Sequence, residues 1–196
     1  MVVCFASVCE GAVRSVDIGL ADNKDPSIDE GQVAWLGNDG QAWQIYFFDG
    51  SQIYQLTQGP YNHRNPTLRK GRIIWEGYDG QKWQIFYFNG YQVLQLTHTG
   101  NHRNARLDAG DDPAWAGYAV WEGLEGATWQ VWMYNGKVAP VQISSGSTDC
   151  TNPAISHGQV VWLAAGSKNK QQVYLYDGTQ TVVVSAASVT IGAKES

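Results

Sequence analysis

Trp75-Glu-Gly-Tyr-Asp-Gly-Gln-Lys-Trp-Gln-Ile-Phe-Tyr-Phe-Asn-Gly90 is the stretch that decides the fold. An apolar run ends in Trp75 and stops at the polar turn Gly77–Gly80. A second apolar run, Trp83 to Phe88, stops at Asn89-Gly90. Asp-Gly and Asn-Gly tolerate the positive φ angles of tight hairpins, so the stretch reads as one β-hairpin and the start of the next. The same pattern stands forty residues earlier as Trp35–Gly50, and returns in weaker form as Trp121–Gly136 and Trp162–Gly178. A period of this size marks a repeat architecture.

Working outward, four repeats of roughly forty residues emerge, each with four short strands. They span residues 20–59, 60–100, 101–146 and 147–188. In the first, Pro26–Ile28, Val33–Trp35, Trp43–Phe48 and Ile53–Thr57 are the expected strands. The third carries an insertion, Asp108–Gly117, in place of its first short turn. The chain enters mid-repeat: residues 1–19 read as a partial unit with strands Val3–Val8 and Val13–Ile18. The tail 189–196 offers one closing strand, Val189–Ile191. Together the two ends could supply a composite fifth blade.

The third strands read Ile45-Tyr-Phe-Phe, Ile85-Phe-Tyr-Phe, Val131-Trp-Met-Tyr and Val173-Tyr-Leu-Tyr. None alternates apolar with polar. A strand with one wet face alternates, whereas one covered on both faces does not. Each small sheet is therefore expected to lie between two others. Four-stranded sheets of this length stacked face to face around an axis are propeller blades. The expected fold is an all-β β-propeller forming a single domain, 1–196. A flat sandwich is the competing fold and explains the repeat less well.

Asn62–Leu68, Gly71–Trp75, Asp79-Gly80, Ile85–Gly90 and Gln95-Leu96-Thr97 carry a further likeness. This series resembles the TolB-like, WD-repeat-like propeller repeats of secreted and envelope-associated bacterial proteins, over about residues 20–185. The resemblance implies a propeller and an extracellular or cell-envelope setting. It does not choose among binding, scaffolding and catalysis. Members generally have six or seven blades. Four repeats therefore imply a piece of a longer propeller, a ring closed with few blades, or a ring completed by homo-oligomeric association.

Composition narrows the function classes. The formal net charge is −5, and no strong basic footprint invites nucleic acid or an anionic membrane. No apolar run is long enough for a transmembrane helix. The N-terminus lacks the basic leader of a signal peptide. Cys4, Cys9 and Cys150 form neither a disulfide framework nor a metal motif. No sequence motif calls for a cofactor or a metal.

In a propeller the blade-to-blade loops share a face with the loops between second and third strands. The sequence places Asp22–Asp25, Asn62–Asn65, Asn101–Asn104 and Asp149–Asn152 there as linking loops. The first residue of each (Asp22, Asn62, Asn101, Asp149) is expected to hold its loop by bonding its own backbone. His63-Arg64 and His102-Arg103 occur only in the second and third repeats, and Arg grips carboxylates in two-point fashion. Glu76 and Glu122 follow the second-strand Trp on the same rim; ion pairing with the nearby Arg is the simpler reading, a glycosidase carboxylate pair the sharper one. Trp35, Trp75, Trp121 and Trp162 are expected in the core. Tyr78 and Trp115 are expected in loops and exposed, Trp115 on the opposite face. The candidate ligand-binding set is Asn62, His63, Arg64, Glu76, Tyr78, Asn101, His102, Arg103 and Glu122, with no catalytic residue. The leading expectation is a non-catalytic, glycan-binding module; a protein–protein scaffold and a polysaccharide hydrolase or lyase are the alternatives.

Overall fold

The computed structural model describes residues 19–108, 112–166 and 170–185. The N-terminal half-repeat, the closing strand Val189–Ile191, the composite fifth blade they would form, and Cys4 and Cys9 lie outside the described residues. Sixteen strands form four antiparallel four-stranded sheets, each a simple meander in chain order. The first sheet is β1 (Asp22–Asp29), β2 (Gln32–Asn38), β3 (Trp43–Phe48) and β4 (Ile53–Gln55). The second is β5 (His63–Arg69), β6 (Arg72–Tyr78), β7 (Trp83–Phe88) and β8 (Val93–Gln95). The third is β9 (His102–Leu107), β10 (Tyr118–Glu125), β11 (Thr128–Asn135) and β12 (Val141–Gln142). The fourth is β13 (Cys150–Ser156), β14 (Gln159–Ala165), β15 (Gln171–Tyr176) and β16 (Thr181–Val183). This is the β-propeller expected from the repeat.

The Asp-Gly turns behave as hairpin chemistry requires. The Asp39 carboxylate accepts from the Gln41 and Ala42 amides, and Gly40 sits at φ 94°. Asp49 and Asp177 accept amides in the same way, which pulls each carboxyl down to about 2. No cation is needed to explain these carboxylates.

One expectation is corrected here. The four stretches assigned to linking loops (22–25, 62–65, 101–104 and 149–152) lie largely inside the first strands of the sheets. Each of those strands carries one residue in left-handed conformation: Asp25 (φ 51°), Asn65 (54°), Asn104 (55°) and Asn152 (54°). The β1–β2, β5–β6, β9–β10 and β13–β14 registers all shift close to that residue. The feature is a β-bulge, and Asn or Asp is the side chain that tolerates it. A run rich in Asn, His and Arg reads as loop because a bulge spoils the strand pattern.

The core lies between sheets. Ala34, Leu36, Ile45 and Phe47 of the first sheet pack on Leu68, Ile73, Trp75 and Phe88 of the second. The second and third sheets pack in the same way, as do the third and fourth. Neighbours along one strand serve different cores: Trp75 joins the first and Ile74 the second. That is why the strands do not alternate. First strands contact first strands across successive sheets, β1 with β5, β5 with β9, and β9 with β13, so they line the axis.

Candidate functional site

Glu76 and Glu122 are fully buried. Glu122 Oε2 accepts from Arg103 Nε at 2.7 Å; its Oε1 accepts from Asn104 Nδ2 at 2.9 Å and from the Asn152 amide at 2.8 Å. Glu76 repeats this with Arg64 Nε (2.6 Å), Asn65 Nδ2 (3.1 Å) and the Asn104 amide (2.8 Å). Each carboxylate thus clamps the bulge of its own sheet and receives the bulge amide of the next. The left-handed turn at Asn104 or Asn152 is what aims that amide backward. Both carboxylates are fully engaged in holding neighbouring sheets. The first and fourth sheets carry Leu36 and Leu163 at this position.

The arginines are held on two sides. Arg64 lies 3.8 Å over the Trp83 ring and Arg103 3.8 Å over Trp129, while Lys24 lies 3.9 Å over Trp43. These three rungs repeat at the same end of successive sheets, the end that carries the sheet-to-sheet links. The arginine side chains stay 39% and 38% exposed. A guanidinium stacked on indole and bonded through Nε is positioned but retains donors for a ligand.

The histidines serve the core. Trp75 Nε1 donates to His63 Nδ1 at 3.0 Å, as Trp35 Nε1 donates to Asn23 Oδ1 at 2.9 Å. Burial pushes the His63 imidazole down to about 4, so it is neutral at pH 7. His102 also titrates low, chiefly through burial. Its Nε2 meets the Thr99 carbonyl at 2.7 Å, which places the proton on Nε2. Here Trp132 replaces Phe86 of the second sheet. Among the described residues, His102 Nδ1, Trp121 Nε1 and Trp132 Nε1 are buried without a protein partner.

Asn62 and Asn101 are caps, though not of their own backbone. Asn62 Oδ1 accepts the Trp43 amide of the preceding sheet at 3.0 Å; Asn101 does so for Trp83 and Asp149 for Trp129. Asp22 alone bonds its own neighbour, the Asn23 amide. Tyr78 ends β6 half-buried, edge-on to Tyr61. Trp115 sits in a 3-10 turn, Pro113–Trp115, half-buried against Gly158 and Tyr118. Trp75, Trp121 and Trp162 are core as expected, while Trp35 is half-buried. The expected set thus gathers at one end of the propeller. Within it, Asn62, Arg64, Arg103 and Tyr78 remain within reach of a ligand.

Two features escaped the sequence reading. Gln44, Gln84 and Gln130 are almost wholly buried; each accepts from Thr57, Thr97 or Ser144, whose hydroxyl in turn accepts the next strand amide (Ile45, Ile85, Val131). The repeated Trp-Gln and Gln-Leu-Thr pairs were the available signal. The second feature is a groove of about 590 Å³ at the opposite end, between the first two sheets. Phe47 and Phe88 form its apolar part, Tyr54 and Tyr91 stand beside them, and Gln32, Gln55 and Asp49 add polar groups. Tyr91 is 95% exposed and Tyr54 43%. At the same place between the second and third sheets Tyr87 packs on Tyr134, as Phe47 packs on Phe88, and sets its hydroxyl against Gly117.

No family model and no curated protein sequence matches this chain. Solved structures do. The acylaminoacyl peptidase of Pyrococcus horikoshii is 12% identical with a TM-score of 0.61, over 82% of this chain and 26% of that one. The β-propeller domain of the Trilobed protease from Pyrococcus furiosus is 12% identical with a TM-score of 0.60, over 81% of this chain and 53% of that one. The putative TolB from Agrobacterium tumefaciens is 15% identical with a TM-score of 0.53, over 78% and 60%. The chain spans less than two thirds of each. The likeness is one of fold: four sheets of a β-propeller, of the kind found in TolB and in the propeller domains of peptidases.

Proposed function

We propose that this protein is a non-catalytic binding module for glycans, and that the groove between the first and second sheets receives the sugar. The observation that carries the proposal is the open groove itself. Exposed tyrosine faces stack on the apolar faces of sugar rings, and neighbouring amides and carboxylates meet the hydroxyls. Tyr54 and Tyr91 stand beside Phe47 and Phe88, with Gln32, Gln55, Asp49 and Asn89 around them. Lys70 and Arg72 also line the groove and suit an acidic sugar. An extracellular or envelope setting, where such ligands occur, belongs to the same proposal. The burial of Glu76 and Glu122 favours binding over hydrolysis.

The rim of Arg64, Tyr78 and Arg103 is the second place for the same ligand class. A glycan-array screen separates the two. The parent chain is compared with Tyr54→Ala/Tyr91→Ala and with Arg64→Ala/Arg103→Ala, each verified as folded by circular dichroism. Binding lost only in the tyrosine variant supports the groove. Binding lost only in the arginine variant moves the site to the linker end. No binding by the parent refutes the glycan reading and leaves the protein–protein scaffold.

A further inference from the structure

Each interior junction joins two kinds of surface, a rear and a front. Ala34, Leu36, Ile45 and Phe47 form the rear of the first sheet; Leu68, Ile73, Trp75 and Phe88 form the front of the second. At the same positions the first sheet carries Ile28, Val33, Trp35 and Phe48, each less buried than its counterpart in the second sheet. Ile28 is 70% exposed, whereas its equivalents Leu68, Leu107 and Ile155 are 0%, 7% and 8% exposed. Pro26 is exposed where Pro66 and Pro153 are buried. The fourth sheet presents the matching rear. Val161 is 36% exposed, against 0% for Ala34, Ile74 and Val120. Val173 and Leu175 are half-buried where Ile45 and Phe47 are buried. The two ends are therefore the two halves of a junction that the chain already makes three times.

We propose that a second copy of this chain occupies both ends, the rear of its fourth sheet seated on the front of the first sheet and the converse, so that two copies close one ring of eight sheets. Continuity with the interior junctions identifies the occupant. Asp22 stands where Asn62, Asn101 and Asp149 each accept an amide from the preceding sheet. In the ring it meets the equivalent amide, that of Gln171, from the second copy. A head-to-tail contact that closes after two copies also leaves no apolar face in water. The axial end with the stacked arginines is then complete only in the dimer.

The test is the solution mass of the full 196-residue chain by sedimentation equilibrium over a micromolar range. The expected mass is twice 21.6 kDa. Ile28→Asp and Val161→Asp alter side chains that are exposed within one copy, so both variants fold, which circular dichroism verifies. Each is expected at the single-copy mass. An equimolar mixture of the two retains one unaltered junction and is expected to regain mass. A parent chain at 21.6 kDa overturns the proposal and assigns the open faces to the chain's own terminal segments. A parent dimer that persists in both variants overturns it too, because the copies then meet elsewhere. A mass that climbs past two copies overturns ring closure.

Discussion

Glu122→Ala puts a number on the clamp between the third and fourth sheets. The carboxylate holds Arg103 Nε at 2.7 Å, Asn104 Nδ2 at 2.9 Å and the Asn152 amide at 2.8 Å, from a fully buried position. Removing one partner of a buried pair costs about 3–5 kcal/mol, because the remaining charge and donors are stranded. Arg103 is 38% exposed and recovers some hydration, which places the loss near the lower end, about 3 kcal/mol. For a chain of this size the melting midpoint should fall by about 6–12 °C. Urea titration followed by tryptophan fluorescence measures the loss directly. Arg103→Ala and the double variant complete a cycle, with an expected coupling of about 1.5–3 kcal/mol. A loss below about 1 kcal/mol for Glu122→Ala, or a coupling near zero, would refute the clamp and reopen the carboxylate to chemistry.

His63 gives a pH dependence. Its folded value of about 4 lies below the ordinary 6.5, so the unfolded chain takes up the proton first as pH falls. The stability it contributes is complete above pH 6.5 and is lost between 6.5 and 4, by about 3 kcal/mol; urea midpoints across that window should drop in the parent and flatten in His63→Gln. Gly77→Ala should destabilise by about 1–3 kcal/mol, since the added methyl would lie 2.7 Å from His63 Nδ1 and 2.7 Å from the Phe86 ring; an unchanged melting temperature would contradict it. Thr97→Val removes the hydroxyl that joins Gln84 to the Ile85 amide, and a loss of about 1–3 kcal/mol is expected by thermal melt. Thr97→Ser, which keeps the hydroxyl, should retain most of that stability.

The fold was legible because turns and strand cores use residues with narrow physical meaning. Asp-Gly and Asn-Gly fix hairpins, and Ile85-Phe-Tyr-Phe has no solvent side. The site was legible in composition and not in role. Arg64, Glu76 and Asn65 stand close together as expected, yet the bulge at Asn65 that turns them into a clamp has no signature in the pattern. His63 is polar in sequence and neutral in place, because acceptance from an indole donor depends on depth, which sequence spacing does not encode. The groove beside Tyr54 and Tyr91 is lined by residues of two different sheets, so it exists only once the sheets are stacked.

The three interior junctions are splices in one beam. The first is fastened at both ends, by Asn62 at the link and by Ser27 and Asp29, which accept the Leu68 and Lys70 amides near the turn. The third is fastened at both ends as well, by Asp149 and Glu122 at the link and by Asp108 on the Gly158 amide at the turn. The second is fastened at the link by Asn101 and Glu76, and near the turn Tyr87 packs on Tyr134. A load that parts the sheets at the link end therefore meets a side-chain fastening at each of the three junctions.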